Sequence, residues 1–179
     1  MDEGWVRRIR DGDAEALREL MDAYGDVVLR TASLLLRDRY EAEDVSQEVF
    51  LTVYGKIGQL NDPSRLRSWL IQITVNCCRA WMRRGVWKRL FYRDPVDLQI
   101  LQDTKDSEEK RVEKLLLSDY IRLLPFKYRE VIVLYYYQDW TTAYIAEVLG
   151  ESEGTVKSKL SRARKRLGDM MEDKEWGDR

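Results

Sequence analysis

Gly150 sits between two short apolar periodicities, and this turn constrains the fold more than any other feature of the chain. Before it, Thr141 is an N-cap residue type, and Ile145, Val148 and Leu149 make a short apolar face closed by the glycine, where a left-handed residue is wanted. After it, Ser152 is placed to cap a second helix. In that helix Val156, Leu160, Ala163 and Leu167 recur at steps of four, three and four, and at about 100° per residue they form one narrow stripe. Two helices joined by so tight a turn predict a helix-turn-helix unit, whose second helix is of the kind that enters a DNA major groove.

The face opposite the stripe carries Lys157, Ser158, Ser161, Arg162 and Lys165, with Thr155 at its start, so hydrogen-bonding and cationic groups are available to bases and phosphates. From Lys157 to Arg166 every charge is positive, whereas Asp94 to Glu113 is dominated by acids. The formal net charge of −1 averages these opposed segments, and the local sign is the useful quantity. Solvation alone is the ordinary explanation of a charged helix face. Here the absence of acids within the run and the capped turn before it favour a nucleic-acid surface.

The rest of the chain reads as helix. Leu17, Leu20, Met21, Tyr24, Val27, Val28, Thr31 and Leu35 predict an amphipathic helix over roughly 13 to 36. A second runs from about Tyr40 to Ile57, with Val45, Val49, Phe50, Val53 and Ile57 inward and Asp44, Gln47, Glu48 and Leu51 sharing the other face. An exposed leucine among acids suggests a protein-binding patch, although a single surface leucine needs no explanation. Ser64 is read as the N-cap of a third helix, which reaches about Arg84, just before Gly85. It buries Leu66, Trp69, Leu70, Ile73, Cys77 and Ala80, and it leaves Ser68, Gln72, Asn76, Arg79 and Arg83 as a polar strip. Arg83, Arg84, Lys88 and Arg89 add a basic end interleaved with Trp81 and Trp87, which serve either as core or as platforms for unstacked bases.

These observations imply an all-α chain of two small helical domains, residues 1–90 and 113–179, joined by a flexible acidic linker over 91–112. They leave little room for catalysis. The chain has no histidine, its two cysteines are the adjacent Cys77 and Cys78, and there is neither a converging carboxylate or thiol site nor a Gly-rich phosphate loop. No catalytic site, metal or cofactor is expected. The charged N-terminus lacks a signal-peptide core and no apolar run spans a bilayer, so a cytoplasmic protein without direct membrane insertion is expected.

Three stretches of the C-terminal unit carry a specific wording. They are Leu124-Pro125-Phe126-Lys127-Tyr128-Arg129-Glu130-Val131-Ile132, Ile145-Ala146-Glu147-Val148-Leu149-Gly150, and Glu153-Gly154-Thr155-Val156-Lys157-Ser158-Lys159-Leu160-Ser161-Arg162-Ala163-Arg164. Together they closely resemble region four of bacterial sigma factors. Ala42-Glu43-Asp44-Val45-Ser46-Gln47-Glu48-Val49-Phe50 resembles the region-two motif that grips core RNA polymerase. The resemblance covers 13–90 and 113–168 and is to the minimal, extracytoplasmic-function type of the sigma-70 family.

By that resemblance Asp44, Gln47 and Glu48 contact core polymerase, and Leu51, the exposed leucine among them, is expected to join that contact. Asn76, Arg79, Ala80, Arg83, Arg84 and Lys88 serve the minus-ten element, with a loop from Met82 to Lys88 reading flipped-out bases. Thr155, Lys157, Ser158, Ser161, Arg162 and Lys165 serve the minus-thirty-five element. At Ala80 many relatives carry Asp or Asn, so the loop is expected to supply more of the specificity. The implied partners are core RNA polymerase, promoter DNA and an anti-sigma factor, often membrane-anchored. A stand-alone helix-turn-helix repressor is the alternative, and it leaves the N-terminal faces without a role.

Overall fold

The computed structural model describes residues 2–89 and 117–177, and every regular element among them is helical. They belong to two compact units, one within Met1–Gln99 and one within Ile100–Arg179. The expected linker over 91–112 lies outside the described residues.

In the first unit α1 spans Asp2–Arg10, α2 Ala14–Leu35, α3 Arg39–Lys56 and α4 Leu66–Arg89. Helices α2, α3 and α4 pack on one another around Leu20, Val28, Leu35, Val45, Val49, Val53, Leu66 and Leu70, all buried. Each such side chain contributes about 1.5–3 kcal/mol on leaving water. Asp13 caps α2 by accepting from the N–H groups of Glu15 and Ala16, and Asp38 caps α3 by accepting from Glu41.

Helix α4 departs from the expected reading in three ways. Ser64 is not its cap: Asp62 accepts from the Ser64 N–H and hydroxyl and starts a 3-10 turn, Pro63–Arg65, from which α4 continues. The buried surface is broader than one stripe, because Ile71, Thr74, Val75 and Cys78 are buried with the expected residues, whereas Trp69 and Ala80 are only half-buried. Thr74 tolerates burial because its hydroxyl donates to the Leu70 carbonyl at 2.9 Å. Finally, Gly85 does not stop the helix, and the expected loop from Met82 to Lys88 is helical backbone. A glycine inside a helix costs only about 1 kcal/mol relative to alanine, and no proline or capping residue lies between Gly85 and Arg89 to end it.

Helix α1 has no counterpart in the sequence reading. Val6 and Ile9 are buried, and polar contacts from Trp5, Arg8 and Arg10 secure the helix. Arg8 bonds Asp13 at 2.8 Å and Glu19 at 2.9 Å, the Trp5 indole N–H donates to Glu19 at 2.9 Å, and Arg10 donates to the Leu60 carbonyl. The Arg8 bond depresses the Asp13 carboxyl, while the Trp5 bond and then Arg8 depress Glu19. Carboxyls depressed in the folded state support folding above their ordinary range and lose that support as the pH falls through the depressed values. Hydrogen exchange of the α1 amides should therefore accelerate as pH falls below about 4, once intrinsic rates are corrected for, and Glu19→Gln should blunt the change. Protection that stays constant across that range would contradict this role for the two carboxyls.

The second unit begins with helical residues 117–123, here α5, followed by α6 over Phe126–Ile132 with Pro125 at its N-cap position. The chain then widens into a π turn, Val133–Tyr137, before α7, Thr142–Leu149, and α8, Glu153–Gly177. Asp139 takes a positive φ of 55° in the connecting loop, which a short polar side chain tolerates. Ile121, Leu124, Val131, Leu134, Ile145, Val156, Leu160 and Ala163 form the core.

Candidate nucleic-acid and polymerase interfaces

The α7–α8 turn is built by its caps. The Thr141 hydroxyl oxygen accepts from the Tyr144 N–H at 3.2 Å, and Gly150 closes α7 at φ 67°, ψ 36°. The Ser152 hydroxyl then accepts from the Thr155 N–H at 3.1 Å. A side chain at Gly150 would meet nothing within 4 Å, so the requirement for glycine is conformational. Gly150→Ala should cost about 1–2 kcal/mol in denaturant unfolding. A loss below a few tenths would show that the turn does not need the left-handed residue.

On α8 the apolar stripe faces inward, with Val156, Leu160 and Ala163 buried and Leu167 half-buried. Thr155, Lys157, Ser158, Ser161, Arg162 and Lys165 are all exposed. Lys157 pairs with Glu153 at 2.9 Å, and Glu153 also accepts from the Thr142 hydroxyl at 2.6 Å; these bonds, Lys157 first, depress its carboxyl. An exposed pair of this kind is worth little, so Lys157 can exchange it for a phosphate.

The basic run is not uniform, which composition did not reveal. Lys159 points back to Glu151 at 2.6 Å and Glu130 at 3.5 Å. Arg164 lies over the Tyr135 and Tyr136 rings, 5.4 and 5.6 Å from their centroids, with its Nε donating to the Tyr136 hydroxyl at 2.8 Å. Arg166 lies 5.4 Å from the Tyr128 centroid. Three of the six cations thus serve the unit's own packing, and Lys157, Arg162 and Lys165 remain on the outward face. The aromatic run Tyr135-Tyr136-Tyr137 was the available signal for Arg164.

On α3 the expected arc Val45, Val49, Phe50, Val53 and Ile57 is buried, leaving Asp44, Gln47 and Leu51 exposed, Leu51 by 72%. Tyr40 and Tyr54 extend this outward stripe by a turn at each end, and the sequence reading missed both. Glu48 is half-buried and reaches Arg84 of α4 at 3.8 Å, so the two candidate sites of this unit touch. On α4 Asn76, Arg83 and Arg84 are exposed and Arg79, Ala80 and Trp81 half-buried. The side chains of Trp87 and Lys88 lie outside the described residues. Cys77 and Cys78 are buried, and burial raises the Cys77 thiol above its ordinary range, which disfavours a reactive thiolate.

Comparison with known proteins agrees with this layout. Residues 20–88 match the family model for sigma-70 region 2, and residues 114–167 match that for sigma-70 region 4. The chain is 30% identical over 181 residues to the ECF RNA polymerase sigma factor SigW of Bacillus subtilis, covering 94% of this chain and 95% of that one. It is 33% identical over 149 residues to the ECF RNA polymerase sigma factor SigL of Mycobacterium tuberculosis, covering 83% and 84%. Among solved structures it resembles the sigma factor RpoE of Bartonella quintana, crystallised with the anti-sigma factor NepR, at a TM-score of 0.71 and 23% identity over 87% of this chain and 96% of that one. It also resembles CnrH, solved with the cytosolic domain of CnrY, at 0.66 and 24% over 96% and 97%. At these identities the two structures speak for the fold alone.

Proposed function

The chain belongs to the extracytoplasmic-function sigma factors of the sigma-70 family, and on that premise we propose that it binds core RNA polymerase, directs it to specific promoters and is held in check by an anti-sigma factor. One observation carries this reading. A motif resembling the polymerase-gripping one, with Asp44, Gln47 and Leu51 exposed, and a helix-turn-helix, with Thr155, Lys157, Ser158, Ser161, Arg162 and Lys165 exposed, occur on separate compact units of one chain. A stand-alone repressor would need only the second.

We assign the roles as follows. Residues 1–90 bind core polymerase and open the minus-ten element, 91–112 are the tether, and 113–179 read the minus-thirty-five element. The exposed stripe of Asp44, Gln47 and Leu51, with Glu48 at its edge, contacts core; Leu51 supplies the apolar anchor and the acids the register. Asn76, Arg79, Ala80, Arg83, Arg84 and Lys88 line the path of the melted strand. Because the backbone from Met82 to Lys88 is helical, a helix rather than a loop meets that strand. Capture of unpaired bases offsets the cost of opening the duplex, so this subunit requires no nucleotide hydrolysis. Thr155, Ser158, Ser161 and Arg162 face base edges, while Lys157 and Lys165 face phosphates.

The site of action is the cytoplasm, where core polymerase works; no described helix is long and apolar enough to cross a membrane. Co-purification tests the first step. Mixed with core polymerase, the chain should co-elute in gel filtration and compete with a second sigma factor for the same core. Elution as a free protein, or binding without competition, would overturn the assignment.

A further inference from the structure

The second cation of the basic run, Lys159, faces away from the surface proposed to meet DNA. Lys159 is 15% exposed, and its ammonium lies 2.6 Å from Glu151, 22% exposed, and 3.5 Å from Glu130, 3% exposed. Glu130 belongs to α6, Glu151 to the turn between α7 and α8, and Lys159 to α8 itself. One ammonium therefore ties together α6, the α7–α8 turn and α8. At about 100° per residue, Lys159 lies on one flank of the Val156–Leu160–Ala163 stripe and Arg164 on the other. The stack of Arg164 on Tyr135 and Tyr136 secures that second flank.

Apolar burial is non-directional, so the stripe alone holds α8 against the unit without fixing its roll about its own axis. Charge-assisted hydrogen bonds are directional and short, and they do fix it. A roll of about 20° moves groups by about 2 Å at the 5–6 Å radius of a helix surface. That displacement breaks a base-edge hydrogen bond, whose useful range is a few tenths of an ångström, but weakens Coulomb attraction to a phosphate about 4 Å away by only about a third.

We infer that Lys159, held by Glu130 and Glu151, is a positioning residue that sets the roll of the DNA-reading helix and thereby governs discrimination between promoter sequences, without itself touching DNA. The inference rests on the proposed function.

The test uses the full chain assembled with core polymerase and a promoter fragment that the wild-type assembly selects from a genomic library. Affinity is measured for that fragment and for one with its upstream element shuffled, across a range of salt concentrations. Lys159→Met should lower the selected-to-shuffled ratio by about tenfold, the scale of one misread base pair, with the salt slope unchanged. Lys159→Arg, which keeps the charge and reach, should stay within about twofold of wild type.

A salt slope reduced by about one unit with the ratio preserved would make Lys159 a phosphate contact and overturn the inference. An unchanged ratio in folded Lys159→Met would overturn it as well. If Lys159→Met fails to fold, Glu151→Gln at the more exposed end decides the matter: a ratio lowered by roughly threefold supports positioning, and an unchanged ratio refutes it. If the wild-type assembly discriminates among no fragments, the proposed function fails instead, and the two failures remain distinct.

Discussion

Asp44→Arg is expected to weaken assembly with core RNA polymerase by on the order of a hundredfold. Asp44 is exposed on α3, one turn before Glu48 and two turns before Leu51, so an acidic rim there borders an apolar anchor exposed by 72%. A surface of that sign complements a basic partner, and placing like charges together at such a contact costs several kcal/mol. The folded chain itself should be almost indifferent, because exposed substitutions away from caps and core usually stay within about 0.5 kcal/mol. Asp26→Arg, an equally exposed reversal on α2, serves as the control and should leave assembly intact. Equal losses from both reversals would show that net charge, rather than the α3 stripe, governs binding.

Arg162→Ala is expected to reverse this pattern. Its guanidinium stands on the exposed face of α8, opposite the buried stripe, and is suited to a bidentate contact with a base edge. Its removal should weaken binding to the recognised upstream element by about 1–3 kcal/mol, roughly five- to a hundred-and-fifty-fold, and leave core assembly unchanged. Discrimination at one or two base pairs should relax at the same time. A uniform loss on all DNA sequences would make Arg162 a phosphate contact, and a loss of core assembly would contradict the division of labour between the two units.

Much of this was legible from local chemistry. The Thr141 cap, the left-handed Gly150 and the Ser152 cap needed only residue type and spacing, since each feature is completed within one turn of the chain. The buried arc of α3 followed from period alone because this helix buries one face. Period failed for α4, where Ile71, Val75 and Cys78 widen the buried surface: a helix covered on more than one side has no single stripe to read.

Helix α1 was missed because only Val6 and Ile9 reach the core and its remaining support is tertiary, through Glu19, Asp13 and the Leu60 carbonyl. The same limit applies to the basic run. Charge sign was visible in the sequence, but which cations lie against the unit's own side chains depended on Glu130 and the tyrosines, more than twenty residues away. Candidate surfaces were therefore found more readily than the scaffolding that aims them.

Run-off transcription tests the central claim most directly. Purified core RNA polymerase would transcribe a pooled library of bacterial promoter fragments with and without this chain, beside a second sigma factor known to work with that core. The account predicts discrete transcripts that depend on the chain and share an upstream sequence, lost with Asp44→Arg and reduced with Arg162→Ala. A folded chain that yields no such transcripts, while the second sigma factor does, would contradict it.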